Sequence, residues 1–343
     1  MRIIVLTLMS IFIFFIGTAA GYIFAPKIGT TKQALEQIQL NPKPLNRYSI
    51  PGLQNFLPES GQINIEKKLN ETDDYNSYLI DFKFNPGQKN DDIKKTTGLI
   101  NIPKNVDKTA LIVLIRGYVD QSIYETGMGT SRVGEYLAQN GYITISLDYL
   151  GYGGSDSESA NIFETRFQTY TTTLALLKTL EKEGLPSNIQ NLWDNKIGIW
   201  AHSNGGQIAL TTLAVTKQTI PTVLWAPVTK PFPYSVLYYT DESADEGYFI
   251  RKELSKFESL YLASEFSFTN YLEKISAPIQ IHQGTADDAV PEDWSSEFAN
   301  KLKTKDIEVE YFVYPGADHN LMPTWNDTVS KTLEFFNSKL KNN

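Results

Sequence analysis

Between Ala110 and Tyr314 six short apolar runs recur, each continuous rather than alternating, with helix-length stretches between them. This rhythm limits the fold more than any other feature. A strand wetted on one face alternates apolar and polar residues, whereas a continuous run belongs to a strand covered on both faces. The spacing predicts strands at Ala110 to Ile115, Tyr142 to Asp148, Lys196 to Trp200, Thr222 to Trp225, Pro278 to His282 and Glu308 to Tyr314. Helices fit between and after them, at Val133 to Asn140, Phe163 to Glu183, Gly206 to Thr216, Trp294 to Leu302 and Trp325 to Leu340. Successive βαβ units of this kind give an α/β domain with a mostly parallel sheet and helices on both faces.

Three segments ahead of the first run, GQINIEKKL, SYLIDFKF and TTGLINIP, read as strands of an antiparallel meander, the second with clear alternation. One stretch breaks the rhythm further on. About fifty residues separate Trp225 from Pro278, and they include PFPYSVLYYTDESADEGYF. A gap of that length suits an inserted lid, about residues 228–276, better than a structureless loop.

The N-terminus carries a different signal. From Ile3 to Ala25 there are 23 residues without a charge, enough at about 1.5 Å per residue to cross a hydrocarbon core of about 30 Å. Residues 1–27 are thus expected to be a transmembrane anchor, or a signal peptide cleaved near Thr18-Ala19-Ala20. The apolar stretch runs past that cleavage site, which favours the anchor, and either reading puts the main domain outside the cytoplasm. A polar linker is expected over 28–60 and a catalytic domain over 61–343.

Composition narrows the chemistry. Formal charge is −8, and no basic run extends beyond pairs such as Lys67-Lys68, so nucleic acid is not an expected partner. Cysteine is absent, which removes thiolate metal sites and a Cys nucleophile. There is no H-E-x-x-H, and GYGGSD lacks the G-x-G-x-x-G spacing; neither a metal nor a dinucleotide cofactor is expected.

What remains is serine chemistry, which needs a nucleophile, a base, an acid that orients the base, and donors for an oxyanion. In IWAHSNGGQ, Ser203 follows a predicted strand and precedes a predicted helix, the context of a nucleophile elbow. It is also the context of a capping serine. Gly205 supplies a small neighbour, and Ala201 stands where G-x-S-x-G has its first glycine. Only three histidines exist. His202 adjoins the serine, His282 closes a strand and reads as structural, and His319 lies in the glycine-containing loop YPGADHNLM, so His319 is the expected base. Asp287 and Asp288, after the strand IQIH, are both placed to orient it. The Asn204 N–H is an expected oxyanion donor, and the loop RGYVDQ offers the N–H or phenol of Tyr118, with Gly117 permitting close approach.

These residues resemble the α/β-hydrolase fold, and most closely the catalytic domain of the prolyl oligopeptidase family, over about residues 95–340. The resemblance rests on Ser203-Asn204-Gly205-Gly206, on Gly284-Thr285-Ala286-Asp287 followed by Val290-Pro291, and on Gly316 with His319. It implies that Asp287 is the acid and that the Tyr118 hydroxyl helps hold the oxyanion. DYLGYGGSD, Asp148 to Asp156, also resembles a loop of this family. The implied activity is that of a serine peptidase on peptide or acyl-peptide bonds. Because stand-alone relatives include esterases, a carboxylesterase is the alternative, with Phe232, Tyr234, Tyr238 and Tyr239 of the lid lining an apolar acyl pocket. An inactive hydrolase fold used as a binding module is a third reading. The acidic run Asp241, Glu242, Asp245 and Glu246 reads as a solvated face, or as an attractor for a substrate amine.

Overall fold

Every residue of the run TALIVLI is buried in strand β4 (Thr109–Ile115), as a strand covered on both faces requires. The computed structural model describes residues 43–87, 92–240 and 243–341. Among them no helix is long and apolar enough to cross a membrane; the segment Ile3 to Ala25 lies outside them, as do Asp241 and Glu242.

β4 is one of nine strands in a single sheet. The others are β1 (Gln62–Glu71), β2 (Tyr75–Phe84), β3 (Lys94–Pro103), β5 (Ile143–Leu147), β6 (Trp193–His202), β7 (Thr222–Trp225), β8 (Ile279–Gly284) and β9 (Val309–Tyr314). Their order is β1-β2-β3-β5-β4-β6-β7-β8-β9. β1 to β3 form the antiparallel meander, β3 joins β5 antiparallel, and every pairing from β5 through β4 to β9 is parallel. The parallel strands therefore release their carboxyl ends along one edge, where an α/β sheet places its ligands.

Helices cover both faces. On one, α2 (Ser131–Gln139) and α8 (Trp325–Phe336) bury Val133, Leu137, Val329 and Phe336 against Ile112, Trp200 and Val223. On the other lie α1 (Ile50–Asn55), α3 (Ile162–Lys182), α4 (Asn204–Thr216) and α7 (Glu292–Lys303). α3 begins where Asn161 Oδ1 accepts from the amides of Phe163 and Glu164, both at 3.0 Å, satisfying two of the donors that a helix start leaves open. Its buried Thr172 and Thr173 return their hydroxyls to the carbonyls of Gln168 and Thr169, so these two hydroxyls cross the interior satisfied.

Two segments differ from expectation. Leu45, Tyr48, Ile50 and Leu53 of the supposed linker are buried in the core, and the compact unit begins at Leu45. Widely spaced apolar residues among prolines hid a short helix. The lid region is built from α5 (Tyr234–Leu237), α6 (Tyr248–Glu258) and short 3-10 turns. Its Phe232 is not a pocket wall: it is buried among Phe163, Phe167 and Phe257, with ring centroids 5.5 to 5.9 Å apart. Burial of each such ring stabilises by about 1.5 to 3 kcal/mol, so this part of the lid is a fixed layer of the core.

Candidate active site

β6, β8 and β9 end on the same edge, and each leads into one of the three candidate catalytic residues. Ser203 occupies the N-cap position of α4. A capping serine is extended and accepts from an amide of the first turn. Ser203 instead has φ 55° and ψ −124° and makes no capping bond, a conformation costing about 1 to 3 kcal/mol for a residue with a Cβ. The framework holds it there: its N–H donates to Trp225 O at 2.9 Å, and its carbonyl accepts from Gly206 N at 2.9 Å and Val228 N at 3.0 Å. The turn also needs room. A Cβ at Gly205 would lie 2.4 Å from the Ile115 carbonyl oxygen, and one at Gly117 would lie 2.8 Å from Ser203 Cβ. The methyl of Ala201, by contrast, is fully buried in the sheet beside Ile115 and Leu224.

His319 and Asp287 meet across the ends of β8 and β9. His319 Nδ1 lies 3.0 Å from both carboxylate oxygens of Asp287. The Asp287 carboxylate is buried and also accepts from Gln283 Nε2 and the amides of Ala289 and Val290 at 2.8 to 2.9 Å. Burial, the largest influence, pushes its pKa up, but the hydrogen bond and charge of His319 with the Val290 amide and Gln283 prevail, leaving it below the ordinary value. Asp288 is exposed; the structure joins Asp287 to His319. The two loops are tied by Ala286 N to Ala317 O at 2.9 Å and Gly316 N to Thr285 Oγ1 at 2.9 Å. Among the described residues no hydrogen bond joins Ser203 Oγ to His319, a looseness common to such pairs before substrate tightens them.

The other histidines divide as their positions suggest. His282 is wholly buried, bonded to Gln280 and Tyr314 at 2.8 Å. His202 has a larger part than its exclusion as a base implies. Its Nε2 lies 2.9 Å from the His319 carbonyl, and the two rings are 4.7 Å apart, so it fixes the loop that carries the candidate base.

The candidate oxyanion side is marked by the close approach of Gly117 to Ser203. Asn204, as first residue of α4, has no intrahelical acceptor for its N–H. Tyr118 is 76% exposed and borders, with Gly117 and Asn204, a cavity of about 370 Å³. Sequence reasoning passed over Arg116, which is buried beneath this loop. It donates from Nη1 to Gly117 O at 2.9 Å and from Nη2 to Asp148 O at 2.7 Å, and its guanidinium sits 4.0 Å from the Tyr152 ring and 4.8 Å from that of Tyr124. The Asp148 carboxylate in turn accepts from Thr97, Tyr124 and Thr126. The DYLGYGGSD loop is thus what braces the loop of Gly117 and Tyr118; an arginine directly after a buried apolar run was the available signal.

One expectation about the lid is corrected, and Asp245 and Glu246 of the acidic run are exposed, as a solvated face requires. Phe232, Tyr234, Tyr238 and Tyr239 do not line the cavity beside Ser203; Tyr234, Tyr238 and Tyr239 pack instead around Trp294. Asp245 accepts from Ser243 Oγ and from the amides of Gly247 and Phe249 at the start of α6. Those bonds, the Phe249 amide first, lower its pKa. It shapes a helix start.

Known structures share this architecture. The acetyl xylan esterase of Paenibacillus sp. R4 superposes with a TM-score of 0.59 at 17% identity, over 83% of this chain and 91% of that one. Est1E from Butyrivibrio proteoclasticus, solved with ferulic acid bound, gives 0.52 at 20% identity, over 71% and 95%. The acylaminoacyl peptidase of Pyrococcus horikoshii gives 0.52 at 16% identity, over 85% of this chain and 43% of that one. Identities this low speak to the fold alone. No curated protein sequence matches the chain. The profile of the prolyl oligopeptidase family, however, matches residues 130–343, more than half of the chain and inclusive of Ser203, Asp287 and His319, and the protein accordingly belongs to the prolyl oligopeptidase family, as a serine hydrolase with an α/β-hydrolase fold.

Proposed function

We propose that the protein cleaves peptide or acyl-peptide bonds with Ser203 as nucleophile, His319 as base and Asp287 as the acid that orients it. The observation that carries this reading is the His319–Asp287 pair at the ends of adjacent strands, on the same edge as a strained, uncapped serine. Ser203 Oγ attacks the carbonyl while His319 Nε2 takes its proton; Asp287 holds the Nδ1–H and stabilises the imidazolium. The tetrahedral oxyanion is held by the Asn204 N–H and by the N–H or hydroxyl of Tyr118, each such donor contributing roughly 3 to 4 kcal/mol. His319 then protonates the leaving group, and water repeats the sequence on the acyl-enzyme.

An ester substrate is the second reading, favoured by the two esterases above, each matched over more than nine-tenths of its own length. A fluorophosphonate probe tests the shared chemistry: it labels the protein, and Ser203→Ala abolishes labelling. An unlabelled wild type would sink both readings. Aminoacyl amides against p-nitrophenyl esters then separate them, since ester turnover without amide cleavage excludes the peptidase.

The uncharged stretch from Ile3 to Ala25 supports placing the catalytic domain, from Leu45 onward, outside the cytoplasm, anchored or released after cleavage. Protease treatment of intact cells tests this, and protection of the domain would refute it.

A further inference from the structure

The cavity beside Ser203 is where the bound part of a substrate would sit, and its charge runs against that of the molecule. The chain carries a formal −8, yet two of its six arginines, Arg116 and Arg166, line this one cavity. Arg116 is buried and, although its Nε lacks a partner, both of its Nη atoms are committed to main-chain carbonyls, as described above. Arg166, on α3, is not. Its Nη2 donates to Asn204 Oδ1 at 3.2 Å and to Gln207 Oε1, both neutral amides, and its buried Nε has no hydrogen-bond partner. Among the described residues Arg166 takes part in no ion pair. The one acid lining the cavity, Glu158, is exposed, so solvent screens it.

A partly buried guanidinium without a counter-ion is an unfinished arrangement. Its planar donors match a carboxylate in a two-point contact. It is also close to the chemistry, because Asn204, to which it donates, directly follows the nucleophile. Gln207 keeps it there: while its Oε1 accepts from Arg166, its Nε2 donates to Lys230 O and Ser235 Oγ at 3.1 Å, fixing the acceptor between α4 and the lid.

We propose that Arg166 is a specificity residue that binds a carboxylate on the acyl part of the substrate, so that the preferred substrates are acidic acyl groups, an acidic residue ahead of the scissile peptide bond or the half-ester of a dicarboxylic acid. This rests on Ser203 being the nucleophile. Loss of a charge-assisted contact of this kind lowers kcat/KM roughly ten- to hundred-fold.

The test compares matched pairs: N-acetyl-Glu against N-acetyl-Gln coumarin amide, and p-nitrophenyl hydrogen adipate against p-nitrophenyl hexanoate. In the wild type the acid member of at least one pair is preferred at least ten-fold in kcat/KM. Arg166→Gln brings that ratio to about one, chiefly through KM, and Arg166→Lys retains part of it. Because the readout is a ratio within one protein, a general loss of activity or of folded fraction does not imitate it, and Arg166→Lys serves where Arg166→Gln does not fold. Fluorophosphonate labelling runs alongside. A labelled wild type that shows no acid preference, that turns over neither acid, or whose ratio survives Arg166→Gln overturns the proposal and leaves the serine mechanism standing. A protein that is never labelled overturns the mechanism and this proposal with it.

Discussion

His202 Nε2 and the main-chain carbonyl of His319 lie 2.9 Å apart. A carbonyl only accepts, so His202 carries its proton on Nε2 and donates it. The residue before the candidate nucleophile thus anchors the loop of the candidate base, and a displacement of one strand end is felt at the other. His202→Phe keeps a ring against His319 and loses the bond. The expected result is a fall in kcat of about ten-fold or more, since positioning errors near 1 Å cost up to about a hundred-fold, while fluorophosphonate still labels Ser203 at a reduced rate. Unchanged kcat in steady-state assays would show that the loop needs no such anchor.

Ser203 is held at φ 55° and ψ −124°, where glycine carries no Cβ penalty. Ser203→Gly should therefore abolish hydrolysis and raise stability by about 1 kcal/mol, a rise in Tm of roughly 1.5 to 2 °C for a domain of this size. Thermal unfolding of the two proteins at one pH checks it. A variant that melts lower would mean that the side chain supports the elbow instead of straining it.

Asp287→Asn places an amide against His319 Nδ1 and permits the wrong tautomer. By analogy with the same change in a serine protease triad, kcat should fall by about 10⁴, whereas exposed Asp288→Asn should leave kcat/KM unchanged. Equal losses in the two variants would remove Asp287 from its assigned role.

Two histidines, His282 buried and His202 half-buried, give stability a pH dependence of determined sign. Burial first and His319 second lower the His202 pKa to about 4; burial first and Lys331 second lower that of His282 to about 3. In the unfolded chain both titrate near 6.5. Above that value both states are neutral and pH has no hold on them. Between 6.5 and the folded values the unfolded chain binds protons that the native state refuses, so stability falls as pH falls. At about 1.4 kcal/mol per unit, His202 accounts for about 3 kcal/mol by pH 4, with a comparable share from His282. Urea midpoints should drop from pH 7 to 4.5, and His282→Gln should show a shallower slope whatever its stability at pH 7. Equal slopes for the two proteins would contradict the assignment for His282.

The sheet was legible because periodicity is local: all nine strands fall on segments that the apolar pattern marks. Of the candidate site, the placement of Ser203, Asp287 and His319 was legible because each follows the end of such a strand, in an order that few folds share. The linker was not. Leu45, Tyr48, Ile50 and Leu53 show no strong period in a proline-containing stretch, and only the surface offered by α3 and α4 makes them core.

The amino-acid sequence by itself determined the α/β architecture, the strand ends that carry the candidate serine, acid and base, and the exclusion of thiolate chemistry, because each follows from residue type and spacing. Whether the serine of IWAHSNGGQ caps its helix or stands strained above it was decided only by the tertiary structure, since the turn is held by Trp225, Gly206 and Val228. The same holds for Phe232 of the lid, drawn into the core by Phe163 and Phe167, and for Arg116 and Arg166. An arginine's function depends on which acceptors surround it, and those come from segments far apart in the chain.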